Sequence, residues 1–268
     1  MQYHVIDVFT DRLFGGNPAG VCLLLDGWLP DGTMQSMAAE NNVSETAFLV
    51  KRDGYYDLRW FSPSVEVSLC GHATAASAFV LFEENEKEAS VLRFKTKSGM
   101  LEVLREGGLL YLDLPAMPAA PCPVFPAVEK SFGVKPSAAF KAMDYMVLLD
   151  SEEALRGLRP DFAALKPLAA EAGFGGADFG VIATAKGADC DFVSRFFAPS
   201  VGIDEDPVTG RAHCSLTPYW SNALGKARLH ARQLSARGGE LFCEDRGGRV
   251  RVGGRAVRYL RGEIETPI

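Results

Sequence analysis

The sequence predicts an α+β fold of two pseudo-symmetric domains, each a sheet curled around a central helix. Three observations support this prediction. Short apolar runs separated by Gly, Asp and Lys turns recur along the chain and indicate many strands. One passage, GHATAASAFVLFEENEKE, is apolar nearly all round before it turns acidic, as expected for a helix that a sheet encloses. A proline-rich stretch, LPAMPAAPCPVFPAVEK, divides the chain into two nearly equal parts.

Apolar runs and turn signals place the elements in order. The predicted strands are YHVIDVF, GVCLLLD, TAFLVKR, YDLRWF, VLRFKTK, LEVLRE, LLYLDL, YMVLLD, FGVIATAK, DFVSRFF and the alternating segment at 249–252. The predicted helices are PDGTMQSMAAENN, the apolar passage above, the proline-broken segment 151–171, and GRAHCSLTPYWSNALGK with its glycine stop. Pro218 is expected to kink or shorten the last of these helices.

The proline-rich stretch, residues 114–130, sets the domain boundary. Proline lacks a backbone N–H and disrupts the middle of a helix or a sheet, so this segment is the expected linker. We therefore predict an N-terminal domain over 1–116 and a C-terminal domain over 117–268. A return of the last strand, near 259–268, to the N-terminal domain is left open.

Composition narrows the function classes. The chain has 268 residues, 47% hydrophobic and 23% charged, which is typical of a globular protein with a sizeable core. Its net charge of -6 gives no general attraction to nucleic acid or anionic membranes. The N-terminus lacks the pattern of a signal peptide, and no apolar run approaches the roughly 18 residues of a membrane span. The six cysteines are scattered along the chain, which is typical of free thiols in a reducing compartment, so we expect a cytoplasmic protein. From the charge and the lack of a membrane span, we expect no nucleic-acid or membrane partner.

Two passages form an internal repeat. Residues 60–74 read WFSPSVEVSLCGHAT, and residues 196–210 read FFAPSVGIDEDPVTG. Both begin with an aromatic residue, then Phe, a small residue and Pro-Ser-Val, and in both a glycine follows before an apolar helix. The second copy carries three extra residues between the proline and the glycine. The sequence therefore indicates a duplicated strand–loop–helix unit.

The two glycines, Gly71 and Gly210, are predicted to open the two helices. A helix N-terminus presents unpaired N–H groups and about half a positive charge, and glycine lets a ligand approach the backbone. Two such ends facing one another across a domain cleft would bind a carboxylate or a developing enolate oxygen. We therefore expect both glycines to bind substrate.

Four motifs in order give a family resemblance: FGGNPAGV, NNVSETAFLV, RWFSPSVEVSLCGHAT and RFFAPSVGIDEDPVTGRAHC. With these motifs the chain resembles the phenazine-biosynthesis PhzF-like family, which has the diaminopimelate-epimerase fold. The resemblance implies two similar domains, each a mostly antiparallel sheet around a helix, with the active site between them. It also implies an isomerase that needs no cofactor or metal, acts on a small molecule and forms a homodimer.

Glu45 is the predicted general acid/base. It precedes Ala-Phe-Leu-Val, a run apolar on both faces and typical of a buried strand. A glutamate at the edge of such a strand should have a raised pKa unless a cation pairs with it, which suits acid/base work. The alternative from the residues alone is an exposed turn or capping glutamate. The resemblance implies the catalytic role, since this glutamate matches the catalytic residue of the family.

Two further residues complete the predicted catalytic set. Asp206 precedes Pro207, a pattern that also fits a turn or a helix cap, and the family resemblance implies that it lines the active site. His72 follows Gly71, so its ring could face the cleft and contact a substrate or Glu45.

The predicted substrate-binding residues are Asn17, Ser44, Gly71, Gly210 and Arg211. Asn17 lies in the GGNPAGV turn, and Ser44 precedes the proposed base. Arg211 stands where many relatives carry a serine. Its guanidinium indicates either an extra anionic group on the substrate or a side chain turned to solvent.

Cys70 is predicted to be a buried thiol rather than a base. Relatives of this fold that use two cysteines place one before each helix-opening glycine, whereas here Thr209 precedes Gly210. The two-thiol mechanism therefore lacks half its groups. We also expect no metal site, because Cys70 and His72, or His213 and Cys214, lack the second ligand pair that a structural zinc site requires.

The predicted reaction is cofactor-independent proton transfer on a small carboxylate-bearing substrate. Two alternatives stay open. One is a racemase or epimerase that acts at a single carbon with Glu45 and Asp206. The other is a binding protein without catalytic activity, and its only support is that Arg211 stands in place of the usual serine.

Overall fold

The computed structural model describes residues 1–165, 167–174 and 179–265 and divides into two compact units. The first unit contains Met1–Leu114 and the segment that starts at Arg251, and the second contains Pro115–Val250. Of the predicted last strand near 259–268, the structure has a strand up to Glu263, and residues 266–268 lie outside the described residues. None of the helices in the described ranges combines the length and the apolar character that crossing a bilayer requires.

Strands outnumber helices, as expected for an α+β protein. The strands are β1 (Gln2–Val8), β2 (Asn17–Leu24), β3 (Glu45–Lys51), β4 (Tyr56–Phe61), β5 (Glu66–Val67), β6 (Val91–Thr96), β7 (Gly99–Glu106), β8 (Leu109–Pro115), β9 (Ala120–Cys122), β10 (Ala138–Lys141), β11 (Tyr145–Leu148), β12 (Val181–Lys186), β13 (Phe192–Ala198), β14 (Ile203–Asp206), β15 (Arg228–Gln233), β16 (Gly239–Asp245), β17 (Arg249–Gly254) and β18 (Ala256–Glu263). The helices are α1 (Asp31–Asn41), α2 (Gly71–Glu84), α3 (Pro126–Phe132), α4 (Glu152–Gly157), α5 (Phe162–Leu165), α6 (Leu168–Glu171) and α7 (His213–Leu224), with a 3-10 turn at Pro199–Val201.

In the first unit the strands surround α2. Strand β1 pairs antiparallel with both β2 and β18, β2 pairs parallel with β3, and β3 pairs antiparallel with β4. Ten residues of the 14-residue α2 are buried, which explains why its sequence is apolar nearly all round. Helix α2 begins at Gly71, where the sequence predicts it.

In the second unit the corresponding helix is α7. Strands β12 and β13 pair antiparallel, as do β15 and β16, whereas β11 and β12 are parallel. Helix α7 continues through Pro218 and ends at Leu224, and the φ of 66° at the next residue, Gly225, suits a glycine stop. The segment 151–171 is divided into the short helices α4, α5 and α6, in agreement with its prolines.

The prediction that the second helix opens at Gly210 is wrong, because α7 begins at His213. The backbone N–H of His213 donates to the carbonyl of Gly210 at 3.1 Å, an i→i+3 bond rather than the i→i+4 bond of an α-helix. Gly210 is therefore the first residue of a tight turn that leads into the helix.

The internal repeat is visible as one motif in each unit. In the first, Arg59 of β4 forms a two-pronged ion pair with Glu66 of β5, with N–O distances of 2.8 and 2.9 Å. In the second, Arg195 of β13 forms the same pair with Glu205 of β14, at 2.7 and 2.9 Å. Each arginine directly precedes the two aromatic residues of the repeat. In both copies, the arginine of one strand is therefore joined to a glutamate of the next strand by the same kind of ion pair.

Candidate active site

Strand β3 and helix α2 position the candidate catalytic residues of the first unit. Glu45 is the first residue of β3 and lies opposite Ala19 of the parallel neighbour β2. His72 is the second residue of α2, and Cys70 is the residue before the helix. Cys70 and His72 are buried, and the side chain of Glu45 is only 15% exposed.

These three side chains lie together. Nε2 of His72 is 3.1 Å from Oε2 of Glu45, and Nδ1 of the same ring is 3.5 Å from Sγ of Cys70. The contact of His72 with Glu45 is an ion pair without the alignment of a hydrogen bond. Among the described residues, Nε2 of His72 and Oε2 of Glu45 are buried and have no hydrogen-bond partner. The predicted contact between His72 and Glu45 is thus present, and both groups retain hydrogen-bonding capacity.

Electrostatics favour a charged pair. Burial tends to raise the pKa of Glu45, but the charge of His72 and the close polar contacts with His72 and Cys70 outweigh it, so this pKa is lowered. Burial alone would lower the pKa of His72, yet the interactions with Cys70 and Glu45 raise it well above its usual value. The pair therefore rests as carboxylate and imidazolium.

The pKa of Glu45 is therefore lowered rather than raised, because His72 supplies the cationic partner that the sequence left open. Burial raises the pKa of the Cys70 thiol, and the charge of Glu45 adds to this effect. A protonated thiol is a weak base and nucleophile, in line with the prediction that Cys70 is a buried thiol.

Two predicted substrate-binding residues meet beside Glu45. The hydroxyl of Ser44 donates to Oδ1 of Asn17 at 3.1 Å. Asn17 is fully buried as the first residue of β2, and Ser44 immediately precedes Glu45 on the neighbouring strand. The structure therefore brings these residues together at the same end of β2 and β3, with Gly71 at the start of α2.

In the second unit, Asp206 is part of a turn that a buried glutamine organises. Oδ2 of Asp206 accepts a very short hydrogen bond from the hydroxyl of Thr209. Gln233 donates to the carbonyl of Asp206 at 2.8 Å and accepts from the backbone N–H of Thr209 at 2.9 Å. Asp206 is half-buried at the end of β14, and Gly210 follows this turn.

Arg211 makes contacts within its own unit. Its Nη2 lies 3.0 Å from Oδ1 of Asp144, a buried carboxylate that also accepts from the backbone N–H of Gly180 at 2.7 Å. The guanidinium lies over the ring of Phe196. These contacts add a structural role to the two that the sequence suggested, a substrate contact and a solvent-exposed side chain.

Sequence reasoning missed two of these residues. Gln233 ends a strand in which Leu229 and Ala231 point inward, so the period of two places a polar residue on the buried face. That signal could have identified Gln233. Asp144 has no comparable signal, because its partner Arg211 is 67 residues away.

Comparisons with known proteins agree with this architecture. A family model described as "Phenazine biosynthesis-like protein" matches residues 6–262. The Pseudomonas aeruginosa proteins named uncharacterized isomerase PA2770 and PA3578 are each 49% identical, over 97% and 98% of this chain and 96% and 98% of their own. A crystal structure of a phenazine biosynthesis protein of the PhzF family from Enterococcus faecalis superimposes with a TM-score of 0.93 at 44% identity, covering 99% of both chains.

These matches confirm the predicted fold class, and the names of the two Pseudomonas relatives agree with the predicted enzyme class, an isomerase. The match extends over both copies of the repeat. The chain therefore belongs to the phenazine biosynthesis-like (PhzC-PhzF) family.

Proposed function

We propose that this protein is an isomerase that moves a proton between two carbons of a small carboxylate-bearing substrate, with Glu45 as general acid/base. The observation that supports it is the buried Glu45–His72 pair, 3.1 Å apart, at the start of α2. A carboxylate kept ionised beside a cation and shielded from water can accept a proton from carbon. The isomerase names of the relatives support the same class.

The proposed step begins with removal of a proton from a carbon made acidic by a neighbouring carboxylate or alkene. The C–H electron pair passes into the conjugated system of the substrate as the proton moves to Glu45. The N–H groups in the first turn of α2 stabilise the resulting anion, since Cys70 forms no side-chain cap there. Glu45 then returns the proton at another carbon, so that the reaction involves no net gain or loss of atoms.

His72 has two roles in this proposal. Its positive charge keeps Glu45 ionised before proton transfer. Its Nε2–H, buried without an aligned partner among the described residues, is available to a substrate oxygen. Replacing His72 with Gln should therefore lower kcat by about 100-fold, in the range that single acid/base groups contribute.

The roles of the other predicted site residues are part of the proposal. Asn17 and Ser44 would contact the substrate beside Glu45, supported by their mutual hydrogen bond at that end of β2. Asp206 and Gly210 would act from the turn that Gln233 organises. Arg211 would hold this turn through Asp144. A cytoplasmic homodimer is proposed from the family resemblance.

Proton exchange in deuterium oxide, followed by NMR, tests the proposal. Wild-type protein, Glu45→Gln and the control Glu102→Gln are incubated with small cyclic and amino-acid carboxylates, including a dihydro-hydroxyanthranilate. Glu102 is an exposed partner of Arg93 in the same unit. We expect deuterium to enter the substrate with wild type and the control, and at least about 100-fold more slowly with Glu45→Gln.

The pattern of exchange separates the alternatives. Deuterium at two carbons supports the isomerase, whereas deuterium at one carbon with inversion supports a racemase or epimerase. Equal exchange by wild type and Glu45→Gln would remove Glu45 from the mechanism and return attention to Cys70. Substrate binding with neither deuterium exchange nor an isomerised product, for either protein, would favour a binding protein.

A further inference from the structure

A set of three possible metal ligands lies at the start of α2. One ligand atom from each of Glu45, Cys70 and His72 can be chosen so that all three lie within 4.8 Å of one another. The sequence predicts no metal site, because Cys70 and His72 lack the second ligand pair of a structural zinc site. The fold supplies the third ligand from a separate segment, the first residue of β3.

We infer that Cys70, His72 and Glu45 form a three-ligand site for a zinc-class divalent cation, and that a bound cation inhibits the proton transfer. The inhibition, but not the binding, rests on the proposed function. Three protein ligands with an open fourth position are typical of exchangeable or catalytic zinc sites, whereas structural sites have four.

The donor chemistry selects the metal. A thiolate, an imidazole and a carboxylate suit Zn²⁺ and its borderline-soft neighbours, whereas Mg²⁺ and Ca²⁺ prefer oxygen ligands alone. A thiolate and a carboxylate together neutralise the two charges of the cation, which matters at a buried site. Cobalt(II) is therefore a suitable spectroscopic probe.

The three ligand atoms are already close together, within 4.8 Å of one another. Ligand atoms around a tetrahedral zinc lie about 3.5 Å apart, given bond lengths of about 2.0 to 2.3 Å. Nε2 of His72 faces Oε2 of Glu45 at 3.1 Å, whereas Nδ1 faces Sγ of Cys70 at 3.5 Å, so a cation on one ring nitrogen requires the side chain on the other side of the ring to turn toward it. Nε2 of His72 and Oε2 of Glu45 are buried without a hydrogen-bond partner among the described residues, so a cation would satisfy them.

A bound cation would compete with the proposed reaction. It would occupy the carboxylate that accepts the substrate proton and the imidazole beside it. Metal binding also requires deprotonated ligands, so the cation and the catalytic proton exclude one another. The expected effect is reversible inhibition that a chelator relieves.

The test uses the full-length protein, freed of metal with a chelator and kept reduced. Zn²⁺ is titrated against a chromophoric chelator, and Co²⁺ is added separately to detect a thiolate-to-cobalt charge-transfer band. Cys70→Ala is compared with Cys22→Ala, which removes an equally buried thiol from β2 of the same unit. Circular dichroism checks that each variant is folded.

We expect one Zn²⁺ per chain, a cobalt–thiolate band, and binding by Cys70→Ala weakened by more than the about 100-fold that loss of an outer-shell partner costs. Cys22→Ala should bind as wild type does. Equal affinity in wild type and Cys70→Ala, or a cobalt spectrum without the band, would overturn the inference. If Cys70→Ala does not fold, Glu45→Gln, which preserves side-chain size, must weaken binding to a similar extent.

The two proposals fail separately. Binding is measured without substrate, so zinc binding without proton exchange would count only against the proposed isomerase. Exchange without zinc binding would count only against the metal site. Where both occur, one equivalent of Zn²⁺ should suppress exchange by wild type, and chelation should restore it.

Discussion

The side chain of Gln233 forms a two-way hydrogen-bonded clamp with Thr209. Its Oε1 accepts from the backbone N–H of Thr209 at 2.9 Å, and its Nε2 donates to the hydroxyl at 3.1 Å. The same Nε2 donates to the carbonyl of Asp206 at 2.8 Å. Gln233 is only 1% exposed, so this clamp is shielded from water and fixes the turn that carries Asp206.

Replacing Gln233 with Leu should destabilise the protein by about 1 to 3 kcal/mol, because the buried N–H of Thr209 loses its acceptor. Urea unfolding measures the change. Gln35→Leu is the control: Gln35 is half-buried and donates a single hydrogen bond, to the carbonyl of Ser62. Equal costs for the two variants would show that the clamp adds nothing beyond an ordinary side-chain bond.

His213 should make the stability of the protein depend on pH. Its ring is buried, Nδ1 donates to the carbonyl of Thr209 at 2.9 Å, and burial lowers its pKa to about 4. Its usual value is 6.5. The folded state thus prefers the neutral ring, while the unfolded chain takes up the proton near pH 6.5.

The contribution of His213 should therefore be complete above pH 6.5 and should decline as the pH falls from 6.5 toward 4, by about 3 kcal/mol in total. Thermal or urea unfolding at several pH values measures this slope. Carboxylates also titrate in this range, so the informative quantity is the difference between wild type and His213→Gln. The variant should have a shallower slope; the same slope in both would contradict the assignment to His213.

Local sequence pattern was sufficient to predict much of the fold. The apolar run after Glu45 is β3, and Gly71 opens α2, because alternation, apolar faces and glycine signals depend on neighbouring residues. The start of α7 is an exception, because the local pattern predicts it at Gly210 and the helix begins at His213. Whether the residues after a glycine form the i→i+4 bonds of an α-helix or a turn with an i→i+3 bond depends on how they pack. Nothing in the sequence around Gly210 distinguishes these two conformations.

The candidate site shows the same division. The residue types were predictable, and His72 was expected to contact Glu45. The lowered pKa of Glu45 was not predictable, because it depends on whether the imidazole or the apolar surroundings has the larger effect. That Glu45 could join Cys70 and His72 as a metal ligand was not predictable for a different reason: Glu45 and Cys70 are distant in sequence and come close together only after folding.

The repeated arginine–glutamate pair should be important for stability. Arg195 is buried, and its Nη1 also donates to the carbonyl of Leu158 at 2.9 Å. Glu205→Gln would leave this guanidinium without its counter-charge, at an expected cost of about 3 kcal/mol in the free energy of unfolding. Glu102→Gln, which removes an exposed partner of Arg93, should cost less than about 1 kcal/mol. Similar costs for both would mean that the buried pair is as weak as a surface pair.

Gly16, directly before Asn17, should not tolerate a side chain. Its φ is +62°, and a Cβ would lie 2.0 Å from the backbone carbonyl oxygen of Val8, which cannot move aside as a flexible side chain would. Gly54 is the matched control, since its φ of +78° carries a similar backbone penalty but no atom lies within 4 Å of a Cβ.

Gly54→Ala should thus cost about 1 to 2 kcal/mol, the penalty for a left-handed conformation. Gly16→Ala should cost about 2 kcal/mol or more beyond that, since the loop must shift to relieve the clash. Because the same shift would displace Asn17 from Ser44, folded Gly16→Ala should also lose proton-exchange activity, while Gly54→Ala should retain it. Equal stability and activity of the two variants would mean that this loop adjusts freely and does not fix the position of Asn17.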